Sequence, residues 1–159
     1  MGSSPFSFEP LREQHLPFLL EVRNECRSFL HDDRPFTLKE SRRWLQHDKP
    51  EFWLIQYEGA WIGYFRFSDR DTERHSIRVG ADLHPRFRGR GLARRAYEEY
   101  LSVLKHRDHM SIATLEVLSH NLAAQHLYRR LGFLEVGRRR AVAVRDGSPV
   151  DSIVMEKTL

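Results

Sequence analysis

Asp82-Leu83-His84-Pro85-Arg86-Phe87-Arg88-Gly89-Arg90-Gly91-Leu92-Ala93 joins two segments of different periodicity, and its reading decides the fold. Before it, Ser76 to Leu83 alternates strictly, with Ile77, Val79, Ala81 and Leu83 on one face and Arg78, Gly80 and Asp82 on the other, which predicts a strand. After it, Leu92, Ala96, Tyr100 and Leu104 recur at helical spacing and predict a helix over Gly91 to Leu104. In between, Gly89 and Gly91 let the backbone turn tightly and leave amide groups unshielded by a Cβ. A helix start leaves amides unpaired and adds the positive end of its dipole, so the loop has the makings of an anion site. Arg86, Arg88 and Arg90 surround it, and Pro85 fixes the strand exit. The plain alternative is a tight turn with solvated arginines. The spacing is not that of an ATP-binding Walker loop, because Leu92-Ala93 follows Gly91. Nor is it a dinucleotide fingerprint, because Arg94 stands where a third glycine belongs.

Working outward, Phe6 to Leu11 reads as a first strand, and Leu16, Leu19, Leu20, Val22 and Cys26 fit an amphipathic helix over residues 13–27. After the polar break His31 to Pro35, Thr37 and Glu40 form a capping box that opens a second helix to Gln46. Phe52 to Tyr57 and Trp61 to Phe67 read as a hairpin around Glu58-Gly59-Ala60. Downstream come a strand over Ile112 to Leu118, a helix over Asn121 to Leu131 stopped by Gly132, and strands over Phe133 to Arg138 and Ser152 to Lys157, with Asp146-Gly147 as a turn. The order β-α-α-β-β-β-α-β-α-β-β predicts an α+β fold with a mixed sheet.

The 159 residues, 40% hydrophobic and 30% charged, suit one domain over 1–159 with a core of its own. No repeat or low-complexity linker divides them. A net charge of +4 favours an anionic partner without choosing among nucleic acid, lipid and phosphorylated small molecules. The single cysteine, Cys26, excludes an intrachain disulfide and a cysteine-rich zinc site, and no histidine spacing completes a metal site, so no metal is expected. Nothing near the start reads as an export signal, and no apolar run approaches the roughly 20 residues that span a bilayer. The expectation is a cytoplasmic protein, with no membrane partner.

Arg86-x-x-Gly89-x-Gly91, after a strand and opening a helix, resembles the acetyl-CoA pyrophosphate loop of the GCN5-related N-acetyltransferases (GNAT). Asn121-x-x-Ala124-x-x-Leu127-Tyr128-x-x-Leu131-Gly132-Phe133 is similar to that family's other cofactor segment. Together the matches span residues 76–133. The resemblance implies a mostly antiparallel central sheet flanked by helices, in which Ser76–Leu83 and Ile112–Leu118 splay apart as the acetyl-CoA slot. The activity it implies is acetyl transfer from acetyl-CoA directly to a primary amine, of a small molecule such as an aminosugar or of a protein N-terminus, in a ternary complex.

That chemistry needs a neutral amine, stabilisation of the developing oxyanion and a proton for the departing thiolate. By the resemblance, amides of Phe87, Arg88, Gly89, Arg90, Gly91 and Leu92 hold the pyrophosphate, with Arg86 beside them, and the Leu83 amide meets the thioester carbonyl. Tyr128 is the implied general acid, against the alternative of a helix tyrosine packing over the cofactor. Asn121 is an N-cap and, by resemblance, a partner of the pantetheine arm. Leu115-Glu116-Val117, with Glu116 twelve residues before Tyr128, resembles the ribosomal-protein alanine N-acetyltransferases and makes Glu116 the implied base; a strand glutamate paired to an arginine is the alternative. Asp82 is the second candidate base, then His75 and His84.

Glu21-Val22-Arg23-Asn24-x-x-Arg27 and Thr37-Leu38-Lys39-Glu40 with Trp44 faintly resemble acetyltransferases of nucleotide-linked aminosugars and ribosomal-protein N-termini. Arg23, Asn24, Arg27 and Trp44 in them, with Arg34 and, on the strand Ser76–Leu83, Asp82, are the expected acceptor contacts, against the reading of solvated helix faces. Two readings from other classes stay open. One is an RNA-binding module using Arg129-Arg130 and Arg138-Arg139-Arg140, with nucleic acid the minor claimant. The other is a catalytically silent CoA-binding module. Whether the chain forms a homodimer is left open.

Overall fold

The computed structural model describes residues 2–159. Seven strands form one sheet: β1 (Phe6–Pro10), β2 (Glu51–Tyr57), β3 (Ala60–Asp71), β4 (Ser76–Leu83), β5 (Ile112–Leu118), β6 (Leu134–Arg145) and β7 (Ser148–Thr158), in the order β1-β2-β3-β4-β5-β7-β6. Four helices complete it: α1 (Leu16–Cys26), α2 (Leu38–His47), α3 (Leu92–His106) and α4 (Leu122–Arg130). Every neighbouring pair of strands is antiparallel except β4 and β5. The expected α+β fold with a mostly antiparallel sheet is the observed one.

Alternation in the strands divides the interior in two. Phe65, Ile77, Val79, Leu115, Val117 and Met155 pack with Tyr97, Tyr100 and Leu104 of α3 and Tyr128 of α4. On the opposite face Leu54 and Tyr64 pack with Leu19, Val22 and Cys26 of α1. The face of β4 that carries Arg78, Gly80 and Asp82 therefore turns toward α1 and α2.

Local signals act as their chemistry requires. Thr37 Oγ1 accepts from the Glu40 amide at 3.2 Å and Glu40 Oε2 accepts from the Thr37 amide at 2.8 Å, the capping box that starts α2. The β2–β3 turn is tighter than expected, with Glu58 and Gly59 both at positive φ, 50° and 81°. The last hairpin is longer: β6 runs to Arg145 and β7 starts at Ser148, not at 138 and 152. β6 is a sheet edge, exposed over most of its length and interrupted by register shifts between Glu135 and Gly137 and between Arg139 and Ala143, so it carries no apolar alternation to read. Among the described residues no helix is long and apolar enough to cross a membrane.

Candidate active site

The parallel pairing of β4 with β5 covers only Ser76–Arg78 against Ile112–Thr114. Beyond it, Val79–Leu83 and Leu115–Leu118 continue as strands without pairing each other, so the sheet opens into a V. β4 stays paired to β3 along this length. His84 donates to the Ile62 carbonyl at 2.8 Å, and antiparallel bonds alternate in direction along a strand. The Leu83 amide consequently points away from β3, into the opening. Gly63, opposite Leu83, is what lets β3 approach so closely: a Cβ there would overlap the Asp82 carbonyl oxygen and stand 3.0 Å from Leu83 Cα. An isolated glycine inside the aromatic run Trp61–Phe67 was the available signal for this contact.

The anion loop leaves β4 through a short 3-10 turn, Pro85–Phe87. This turn spends two amides internally, Phe87 on the His84 carbonyl at 2.9 Å and Arg88 on that of Pro85 at 3.2 Å. Gly89 and Gly91 follow, both at φ 72°, a left-handed conformation that side chains disfavour. Nothing lies within 4 Å of where a Cβ would be at either, so the loop is open above them. Gly91 caps α3 without offering a side chain, which leaves the first-turn amides free for an anion. Arg86 and Arg90 stand over the Phe87 ring at 5.8 and 6.0 Å. Arg88 turns inward, its Nη2 2.9 Å from Cys26 Sγ, while the Cys26 thiol donates to the Leu83 carbonyl at 3.6 Å. The buried thiol is thus a tie between α1, the loop and the end of β4, and burial, reinforced by Asp82, raises its pKa to about 11.

On the α1–α2 side a cleft of about 690 Å³ runs to the V. Arg23, Trp44, Asp82, Glu116 and Tyr128 all line it. Of the acceptor contacts expected from sequence, Asn24 and Arg27 do not. Both are exposed, Asn24 because helical rotation carries it past the Arg23 face, Arg27 because α1 tightens there into a 3-10 turn. Arg23 donates to the carbonyls of Arg34 at 2.8 Å and Asp32 at 3.3 Å and so shapes the loop that forms the cleft wall. Trp44 meets Phe52 edge-on, and Phe52 stacks on Tyr64 at 5.4 Å, an aromatic wall leading to Asp82.

The two carboxylates deep in the cleft are both held by arginines. Glu116 Oε2 is 2.7 Å from Arg78 and 3.6 Å from His31, and its Oε1 accepts from Arg139 at 2.9 Å. Its side chain leaves the strand on the face opposite the Leu115 and Val117 core, as the strand period requires. Asp82 Oδ2 lies 3.2 Å from Arg66 Nε without an aligned hydrogen bond, and both atoms keep unused hydrogen-bonding capacity in a buried place. Arg66, Arg78 and Arg139 are contributions that local sequence reading misses, because strand pairing brings them in. Arg138 and Arg139, in the basic run, are engaged by Asp151 and Glu116.

Tyr128 belongs to both sides of the sheet. It packs in the α3–α4 core, its ring edge-on to Tyr97 and Phe133, and it also lines the cleft beside Asp82. Burial raises its phenol above the ordinary value of 10.0, with Tyr97 and the Arg66 guanidinium offsetting part of the rise. It is a protonated donor at neutral pH. Asn121 Oδ1 accepts from the Ala124 amide at 3.2 Å, the N-cap of α4. His84, a third candidate base, is held by Glu21 at 2.9 Å and does not line the cleft, and His75 takes a left-handed turn between β3 and β4. Among the described residues no group of three or more His, Cys, Asp or Glu is placed to hold a metal ion.

Solved structures share this architecture. A spermidine N-acetyltransferase from Vibrio cholerae, in complex with CoA and spermine, matches 97% of this chain and 95% of its own at TM-score 0.86 and 20% identity. A ribosomal-protein-alanine N-acetyltransferase from Brucella melitensis matches 96% and 99% at TM-score 0.79 and 23% identity. A Salmonella typhimurium protein with acetyl-CoA as its cofactor matches 98% and 95% at TM-score 0.78 and 19% identity. At these identities the fold is what is shared. No curated protein sequence gives a significant match. Residues 16–133 match the Acetyltransferase (GNAT) family, and they contain the V, the anion loop and Tyr128. The chain belongs to the GNAT acetyltransferases, enzymes that use acetyl-CoA.

Proposed function

We propose that the protein transfers acetyl from acetyl-CoA directly to a primary amine that also carries an anionic group, with both substrates bound together. The observation that carries this is that Tyr128 lines one charged cleft together with Asp82 and Glu116 of the two splayed strands, the first of which leads into the glycine loop and its free amides. The residues fit the co-substrate. The free amides of Gly89, Arg90, Gly91 and Leu92, with Arg86 and Arg90, would hold its pyrophosphate, and Asn121 would flank the pantetheine arm. Bound there, acetyl-CoA supplies an activated thioester carbon and a thiolate leaving group. The Leu83 amide is oriented for a carbonyl oxygen in the V. Glu116 accepts the amine proton, directly or through water, and the Tyr128 hydroxyl donates to the departing sulfur.

Charge in the cleft narrows the acceptor. Glu116 and Asp82 are each compensated by arginine, and Arg23 has only backbone oxygens as hydrogen-bond partners. A polycation such as spermidine meets no uncompensated acid in the depth of the cleft, whereas a carboxylate or phosphate beside the amine meets Arg23, the lining arginine that no carboxylate neutralises. The aromatic wall from Trp44 to Tyr64 suits a flat or apolar portion of the same molecule. The cytoplasmic setting belongs to this reading.

The test is thiol release from acetyl-CoA with a panel of amino acids, acidic peptide N-termini, aminosugar phosphates and polyamines. Amines bearing an anionic group are expected to give kcat/KM at least about tenfold above polyamines, a difference of about 1.4 kcal/mol. Preference for spermidine refutes the acceptor assignment. Binding of CoA with no acceptor consumed favours the silent binding module. Tyr128→Phe is expected to lower kcat by about 10²–10⁴ with little change in the KM for acetyl-CoA.

A further inference from the structure

We infer that Tyr97 is a positioning residue for proton donation by Tyr128: its hydroxyl donates a hydrogen bond to the Tyr128 oxygen as that oxygen gives up its proton. This rests on the reading of Tyr128 as the acid. Tyr97 lies on α3, the helix that begins at the anion loop, and is 2% exposed. Its hydroxyl is buried without a hydrogen-bond partner, an arrangement that costs stability and calls for an explanation. Its ring meets Phe65 edge-on at 5.1 Å and Tyr128 edge to face at 5.8 Å and 89°, and of these two only Tyr128 carries a polar atom. Phe133 closes another side of Tyr128 at 5.9 Å with no polar atom to offer. The charged groups that act on Tyr128 are Arg66 of β3, a permanent cation, and Asp82 of β4, an acceptor, while Glu116 of β5 lines the same cleft.

The two phenols are close enough to shift each other's titration. Burial raises both, and it holds Tyr97 well above 10.0. Tyr97 therefore keeps its proton where Tyr128 can part with its own. In the step, the Tyr128 O–H bond breaks, its electron pair stays on oxygen, and an S–H bond forms on the departing thiolate. Tyr97 remains protonated and bonds the new phenolate, with the Arg66 guanidinium as the opposite charge. Water in the cleft then returns a proton to Tyr128. The Tyr97 hydroxyl, which has no well-aligned partner in the resting site, bonds the Tyr128 oxygen most strongly once charge appears there, which is the differential stabilisation that accelerates a step.

The experiment compares Tyr97→Phe, Tyr128→Phe and the double variant. Phenylalanine keeps the ring and removes only the partnerless hydroxyl, so the melting temperature of Tyr97→Phe is expected to be unchanged or raised. Its kcat is expected to fall about tenfold with the KM for acetyl-CoA unchanged, and the double variant to be no slower than Tyr128→Phe alone. In the free protein, ultraviolet titration of phenolate should show the Tyr128 transition moved to higher pH in Tyr97→Phe. Wild-type kcat and an unmoved transition in Tyr97→Phe, with Tyr128→Phe slow, overturn this inference alone. Normal turnover in Tyr128→Phe overturns the acid assignment and this inference with it. A double variant slowed by the product of the two single losses shows that Tyr97 acts independently of Tyr128 and also overturns it.

Discussion

Gly63→Ala tests whether the close approach of β3 to β4 sets the acyl slot. Gly63 faces Leu83 across the two strands. A Cβ at this position overlaps the Asp82 carbonyl oxygen and stands 3.0 Å from Leu83 Cα and 3.1 Å from Asp82 C, where ordinary contact begins at 3.4 Å. The obstructing atoms are backbone, so no rotamer relieves the clash and β4 must move by on the order of 1 Å. Overpacking of this kind costs about 1–3 kcal/mol. At about 2–4 °C per kcal/mol for a domain of this size, the melting temperature is expected to fall by about 2–12 °C. Turnover should suffer more, because the displaced residue is the one whose amide enters the V, and misplacement by 1 Å costs about 10²-fold. Gly80→Ala is the control. There a Cβ meets only the Arg66 guanidinium at 3.0 Å, the far end of a flexible side chain, and melting should shift little. Thermal melts followed by circular dichroism and steady-state thiol-release kinetics read both effects. A Gly63→Ala protein that melts and turns over like the wild type refutes the argument.

Four further outcomes are expected. Gly91→Val forces a β-branched residue to φ 72°, a strain of at least about 1–2 kcal/mol, and should raise the KM for acetyl-CoA while sparing kcat at saturation; a loss confined to kcat contradicts the loop assignment. Glu116→Gln should remove the limb of the kcat/KM profile that rises with pH, and an unaltered profile moves the base role to Asp82 or to water. Stability should fall on both sides of neutrality. Burial lowers the pKa of His15 and of His31 from 6.5, so the unfolded chain takes up protons first as pH drops through that value and the fold weakens. Burial raises Cys26 from 9.0 to about 11 and Tyr64, Tyr97 and Tyr128 above 10.0, so the unfolded chain loses protons first as pH climbs past 9.0 and the fold weakens again. Melting temperatures measured from about pH 5 to about pH 11 check this, and a flat profile contradicts it. Thiol alkylation of Cys26 near neutral pH should likewise be far slower in the native than in the unfolded protein.

Much of the site was legible because its parts are local. The anion loop depends on Gly89, Gly91 and the start of α3, all within a few residues, and strand alternation alone put Glu116 opposite Leu115 and Val117. Arg23, Asn24 and Arg27 came together from a resemblance alone, and only the phase and end of α1 separate Arg23, which lines the cleft, from the other two. The missed pieces depend on pairing across distance. Arg66 reaches Asp82 from a neighbouring strand, and Arg139 reaches Glu116 from an edge strand whose exposed length gave no pattern at all.

The sequence by itself determined the order of the elements, the two-glycine turn that opens α3 and the family segment around Tyr128, since capping, periodicity and glycine conformation act over one or two turns of chain. Tertiary structure alone decided how charge is spent in the cleft and which phenol stands behind Tyr128. Ion pairs and orphaned hydroxyls are set by strand register and by helix packing across the sheet, and these bring together residues that the chain keeps tens of positions apart.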